Sequence, residues 1–215
     1  MLTLKLLGPI QVEREGTKVH GFRSKKTQAL LGYVVAEQRV IARETLAAFF
    51  WPDVPPSKGR TEVRRVLHNL SRLLPGCWQI DPKTVRFVPS NETEVDLYTF
   101  LEREKEEQWK EAARLVQGQF LEGLYLDGNP EFETWLLAER ERWRQKTAQL
   151  LQKLITHHTN QGDYEAGLHC AARLLIVEPW QEKAHRHLML LLARTVAGDE
   201  AIVRAHQRLE GDSGP

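Results

Sequence analysis

Ser57-Lys-Gly-Arg-Thr-Glu-Val-Arg-Arg-Val-Leu-His-Asn-Leu-Ser-Arg-Leu-Leu74 is the stretch that decides how this 215-residue chain is read. Val63, Val66, Leu67, Leu70, Leu73 and Leu74 recur at helical spacing and form one apolar stripe. The opposite face carries Lys58, Arg60, Thr61, Arg64, Arg65, His68, Asn69 and Arg72, with Glu62 as its acid. Pro75-Gly76 ends the helix. Amphipathic helices with arginine on the wet face are common, so the neighbouring elements must decide what this one does.

Upstream, Leu2, Leu4 and Leu6 alternate with polar residues, the period of a half-buried strand. Gly8-Pro9 breaks the run, Ile10 and Val12 resume it, and Glu15-Gly16 marks a hairpin turn. A helix opens at Arg23-Ser24-Lys25-Lys26, with Ser24 as N-cap and Leu30, Leu31, Val34 and Val35 as its apolar face. Basic residues oppose the dipole at a helix N-terminus. They suit an end that meets an anion such as a DNA phosphate; the alternative is a solvated basic turn. A second helix covers Arg43 to Phe50 and stops at Trp51-Pro52-Asp53. Downstream of the basic helix, Trp78 to Val88 reads as a hairpin turning at Asp81-Pro82-Lys83.

Strands, helix, helix, basic helix, hairpin is the order of a winged helix-turn-helix. Its third helix fits the major groove of B-DNA, where each base pair shows a distinct donor and acceptor pattern. Arginine suits that work because its planar fork bonds guanine through two hydrogen bonds. Lys83, Thr84 and Arg86 on the hairpin, the wing, would reach phosphate or the minor groove. The expected DNA contacts are therefore Arg23, Ser24, Lys25, Lys26, Lys58, Arg60, Thr61, Arg64, Arg65, His68, Arg72, Lys83, Thr84 and Arg86.

Charge agrees with this reading once it is divided. The chain carries 30 Lys+Arg and 29 Asp+Glu, a net of +1 that by itself argues against a nucleic-acid binder. Residues 1–90 hold 15 basic and 7 acidic side chains, a net of +8, whereas residues 91–215 hold 15 and 22, a net of −7. A split of this kind points to nucleic-acid contact by the basic half.

Beyond residue 90 the pattern becomes helical: Leu97–Lys105, Trp109–Gln117, a Gly-rich connection over residues 118–130, and a long helix from Glu131. Gly162-Asp163-Tyr164 turns into a helix ending at Glu178-Pro179. Another follows from Trp180 to Ala197, and a last one runs to about Leu209. Helix pairs joined by Gly-Asp turns and closed by Pro match the tetratricopeptide pattern, with Gly167 where that pattern usually has Ala. The fold class expected is mostly α with a small β component: a winged helix-turn-helix over 1–90 and a tetratricopeptide-like all-α domain over 91–212. Gly211 to Pro215 reads as a frayed tail or a severed linker.

Other classes find no support. Walker A, GxSxG, HExxH and dinucleotide-binding glycine patterns do not occur, so no enzyme is expected. Cys77 and Cys170 read as buried or semi-buried small apolar residues, and neither has a CxxC partner. His157-His158, His185 and His187 lack further ligands at metal spacing, so neither metal nor cofactor is expected. No apolar run approaches the ~18 residues that span a bilayer, and the N-terminus lacks the pattern of a signal peptide. The cytoplasm is the expected location.

Several runs carry a family resemblance. Leu6-Leu-Gly-Pro9, Phe22-Arg-Ser-Lys-Lys-Thr-Gln-Ala-Leu-Leu31, Arg43-Glu-Thr-Leu-Ala47 and Phe50-Trp-Pro-Asp53 resemble the start of the Streptomyces antibiotic regulatory protein family. Val95-Asp-Leu97, Gly118-Gln-Phe-Leu-Glu-Gly123, Phe132-Glu-Thr-Trp-Leu-Leu-Ala-Glu-Arg140, Gly162-Asp-Tyr164, Arg173-Leu-Leu175 and Glu178-Pro-Trp-Gln-Glu-Lys-Ala-His-Arg-His-Leu-Met189 resemble its bacterial transcriptional activator domain. The resemblance implies an OmpR-type winged helix and a transcription activator that binds repeated promoter sites. It further implies two protomers side by side, as a homodimer on DNA, and recruitment of RNA polymerase. By position it makes the basic helix the recognition helix. It puts Trp51, Asp53 and Val54, in the loop Trp51–Pro56, where such proteins contact polymerase. The last repeat is short, and both a complete small regulator and the front of a longer protein are compatible with the sequence. A different class remains open: a sensor or interaction module whose helical part binds a ligand or partner and gates a DNA-binding head.

Overall fold

A computed structural model describes residues 1–195. They fall into two compact units, Met1–Trp143 and a second that begins at Arg144.

The first unit opens with β1 (Leu2–Lys5), β2 (Gly8–Pro9), β3 (Gln11–Arg14) and β4 (Thr17–Lys18). Strands β1 and β3 pair antiparallel from Leu2↔Arg14 to Lys5↔Gln11, so Leu2, Leu4 and Val12 all face the core. The β3–β4 hairpin turns through two residues, Glu15 at φ 50° and Gly16 at φ 76°. Two consecutive left-handed residues make the turn whose twist matches the flanking strands.

Three helices follow. In α1 (Lys25–Glu37) the Ser24 Oγ accepts from the Thr27 amide at 3.3 Å, the cap expected from sequence. Helix α2 (Arg43–Phe50) follows a short strand β5 (Ile41–Ala42). Helix α3 (Pro56–Leu73) starts with a proline, whose fixed φ suits the first helical position. All six residues of its expected apolar stripe are buried. Asn69, read from sequence as solvated, is buried too: its Nδ2 donates to the Gly21 carbonyl at 3.3 Å, which ties α3 to the segment before α1. At the other end the Arg14 guanidinium donates to the Leu73 carbonyl at 2.7 Å. Strands β6 (Trp78–Ile80) and β7 (Thr84–Phe87) form the expected hairpin. It gains a third strand because β5 pairs with β7, giving the order β5-β7-β6.

The first unit does not stop at residue 90. Strand β8 (Thr93–Val95) adds to β1 in parallel, giving the sheet order β4-β3-β1-β8. Helices α4 (Asp96–Lys105) and α5 (Trp109–Leu115) follow. The Gly-rich stretch holds β9 (Phe120–Glu122), which pairs with β2 in parallel. Helix α6 (Pro130–Gln161) is capped by Asn129, whose Oδ1 accepts from the Phe132 amide at 3.0 Å. Tyr33, Phe49, Phe50, Phe132 and Trp135 form one aromatic cluster, with ring centroids 4.8 to 6.5 Å apart. By packing, then, the chain parts inside α6 and not at residue 90.

In the second unit α6 continues to Gln161, α7 covers Tyr164–Val177, and residues 182–195 are helical. Asp163 caps α7 by accepting from the Ala166 amide at 3.2 Å. Leu150, Leu151, Leu154 and Ile155 of α6, Ala171 and Leu174 of α7, and Ala184 and Leu191 are buried. Gly167 lies where the helices approach, near His158 and Leu191. The helix expected to end near Leu209 and the tail from Gly211 lie outside the described residues. Cys77 and Cys170 form no disulfide, and both are buried.

Candidate nucleic-acid interface

Because the apolar stripe of α3 is spent on the core, the opposite face is left to solvent. Lys58, Arg60, Thr61, Arg64, Arg65, His68 and Arg72 are all exposed, on one helix face. Among the described residues acidic neighbours reach two of them: Arg65 pairs with Glu62 at 2.7 Å and Arg60 with Glu44 of α2 at 3.6 Å. Among the described residues no carboxylate pairs with Lys58, Arg64 or Arg72. The Thr61 hydroxyl donates to the Ser57 carbonyl, one turn back on the same helix, at 3.1 Å.

Helix α3 is held closely against α2. A Cβ on Gly59 would lie 3.3 Å from the Ala47 Cβ, so a glycine at this point lets the two helices approach. On the wing, Lys83 and Arg86 are exposed and Thr84 is half-buried, its hydroxyl donating to Asp81 at 3.3 Å. Sequence reasoning missed Arg43. Its amide donates to the Lys83 carbonyl at 2.8 Å and its guanidinium to the Asp81 carbonyl at 3.2 Å, so the first residue of α2 holds the wing turn. Its position before an apolar helix looked like ordinary helix-start chemistry, and the wing lies some forty residues away.

The basic end of α1 differs from expectation. Ser24 spends its hydroxyl on its own helix. The Lys25 ammonium sits 3.9 Å from the centre of the Tyr125 ring, and that of Lys26 sits 5.3 Å from the centre of the Trp51 ring. Both distances are within cation–π range. Arg23 is exposed. Lys26 is thus brought to the loop between α2 and α3, where Trp51 and Val54 are half-buried and Asp53 is exposed, and Lys25 to Tyr125 in the connection before α6. Nothing in the sequence marked Tyr125 for this place.

Residues 101–210 match the model of the bacterial transcriptional activator domain family. The chain belongs to this family. It is a family of transcriptional regulators and not of enzymes, and the resemblance read from the sequence is borne out. The transcriptional regulatory protein EmbR of Mycobacterium bovis, and that of two strains of Mycobacterium tuberculosis, are 33% identical to it over 84 residues. That stretch is 39% of this chain and 21% of each relative. The solved structure of Mycobacterium tuberculosis EmbR in complex with a low affinity phosphopeptide superimposes with a TM-score of 0.67 at 21% identity. It covers 100% of this chain and 61% of that one, so this chain spans less than two thirds of the relative's length. The likeness bears out the fold class, mostly α with a small β component. No helix among the described residues is long and apolar enough to cross a membrane.

Proposed function

We propose that this chain is a sequence-specific DNA-binding transcriptional activator. Helix α3 reads the major groove, and the wing residues Lys83, Thr84 and Arg86 hold the backbone beside it. The observation that carries the proposal is the exposed α3 face, where arginine, lysine, threonine and histidine project from a helix whose other face is fully spent on packing. The +8 of residues 1–90 supports it. On this reading the functional division falls at residue 90, with the reader before it and the activator domain, 91–212, after it. Two protomers sit side by side on direct repeats in a promoter, and the loop with Trp51, Asp53 and Val54 meets RNA polymerase.

Selection of bound DNA from a random duplex pool by the full chain tests the reading. Enriched direct repeats support it; a pool that stays random removes it. On an enriched site, replacing Arg64 and Arg65 together with alanine should abolish a gel-shift complex formed at moderate salt.

A second reading has an observation of its own. In the second unit Trp180 is 96% exposed and Ile176 80%, and Met189, Leu190 and Leu192 are also open to solvent. Exposed apolar side chains support contact with a protein partner or ligand that gates the DNA-binding head. The phosphopeptide bound by the solved relative agrees with a protein partner for this family. DNA affinity that no cell extract fraction or candidate ligand alters would count against this reading.

A further inference from the structure

We propose that the α3 face is divided by role: Arg64 and Thr61 read bases, while Arg60 and Arg65 grip the phosphates on either side of the groove. This rests on α3 being the DNA reader and assigns its specificity to two residues. The division follows from helix geometry. Ser57, Thr61, Arg64, His68 and Arg72 recur at intervals of four, three, four and four and so form the ridge opposite the centre of the helix's buried face, which runs from Gly59 to Leu73 and includes Asn69. At ~100° per residue, Arg60 lies about 80° to one side of that ridge and Arg65 about 60° to the other. A helix seated in the major groove points its ridge at base edges and its flanks at the two phosphate walls.

The side-chain partners follow the same division. Arg60 is drawn to Glu44 on α2 and Arg65 to Glu62 on its own helix, each a flanking direction. Exposed pairs of this kind are weak, so they bias a rotamer and still yield to a phosphate. Arg64 has no carboxylate partner among the described residues, and its whole fork is available for the two acceptors of guanine, N7 and O6. The Thr61 hydroxyl is already donated to the Ser57 carbonyl at 3.1 Å. With that donor spent, its methyl group is the part suited to the groove floor, against the C5-methyl of thymine. Thr61 and Arg64 are three residues apart, about 4.5 Å along the axis, little more than one base step. The ligand class is therefore duplex DNA with a G·C pair and an A·T pair within two base steps of each other, the thymine methyl facing α3.

Selection from a random duplex pool, run with the full chain and with single substitutions at these exposed positions, tests the division. The unsubstituted chain should enrich a motif with an invariant guanine and a nearby thymine. Arg64→Ala should lose the guanine preference alone, with about a 5- to 150-fold weaker complex on the parent site. Arg64→Lys, which keeps the charge and lacks the planar fork, should lose that preference as well. Thr61→Ser, which keeps the hydroxyl and removes the methyl, should relax the thymine position. Arg60→Ala and Arg65→Ala should leave the enriched motif unchanged, weaken all sequences alike, and lower the salt slope by about 1 each. Base preference that survives Arg64→Ala, or that moves with Arg65→Ala, overturns the division while leaving DNA binding standing. A pool that the unsubstituted chain fails to enrich overturns the DNA-binding reading itself.

Discussion

Asp96 shows how two motifs 90 residues apart come to depend on each other. Its Oδ2 accepts from the amides of Leu6 at 2.6 Å and Leu7 at 2.7 Å, where the chain leaves β1. Burial pushes its carboxyl from 3.8 up to about 6, against the opposing pull of these amides, the Leu97 amide and Lys5. Both Leu6-Leu-Gly-Pro9 and Val95-Asp-Leu97 were legible as family runs, yet their contact was not, because no periodicity links residues so far apart. Asp96→Ala leaves two buried amides without an acceptor, and urea unfolding at pH 7 should show a loss of roughly 2–5 kcal/mol. Asp96→Asn retains an acceptor oxygen and should cost less. The raised folded-state value also fixes a pH dependence. Between about pH 4 and 6 the folded state holds a proton on Asp96 that the unfolded chain lacks, so the stability from this group is fully present below pH 4 and is lost as pH rises through 6. Relative to Asp96→Asn, the parent chain should gain on the order of 2 kcal/mol as pH falls from 7 to 4. A parent-minus-Asn difference that stays flat across that range would refute the shifted carboxyl.

At the scale of elements, what was legible is what repeats within one segment. Helices α2, α3, α4, α5 and α7 begin and end within about two residues of their sequence reading, and α1 and α6 begin within two, because an apolar stripe and a cap are local signals. Strands β2, β5, β8 and β9 were missed. Each has only two or three residues, too few to show alternation, and is a strand because of its partner. Gly8-Pro9 even read as a strand break, although it pairs with β9. Close helix contacts were equally invisible, and two glycines test them in opposite directions. A Cβ on Gly167 would sit 3.4 Å from Leu191 and 3.7 Å from His158, ordinary contact distances. Gly167→Ala should therefore raise stability by about 0.5–1 kcal/mol through helix propensity and the unfolded state. On Gly32 the same methyl would lie 2.6 Å from the buried Leu121 side chain. Gly32→Ala gains the same propensity, yet must displace Leu121, whose backbone is held at φ 48° with its carbonyl accepting from Arg140 at 2.8 Å. A net loss of roughly 1–2 kcal/mol is expected, since overpacking a filled core costs more than propensity returns. Thermal melts of the two variants should move in opposite directions.

For the whole molecule, the charge split and the packing split do not coincide. The −7 read for the second half belongs to its first part: residues 91–143 hold 14 acidic and 6 basic side chains, while residues 144–215 hold 8 and 9. That acidic segment is built into the basic unit. Beyond β8 and Asp96, the Tyr98 hydroxyl donates to the Val35 carbonyl at 2.8 Å, Asn129 Nδ2 to the Phe49 carbonyl at 2.9 Å, and the Trp135 indole to Glu37 at 3.1 Å. A chain ended at residue 90 loses all of these and uncovers the aromatic cluster around Tyr33 and Phe49. A chain ended at Trp143 keeps them. The short form should show no cooperative thermal transition by circular dichroism, and the long form should melt cooperatively; a sharp melt of the 1–90 form would mean these ties contribute little. The longer fragment also separates net charge from local charge as the source of DNA affinity. Its 21 basic and 21 acidic side chains sum to zero. Counterion release depends on the phosphates actually neutralised and not on the sum over a chain. If the α3 face and the wing supply the contacts, the 1–143 form and the full chain should give the same salt slope on a single operator site. A slope that flattens in the shorter form would move the phosphate contacts into the second unit.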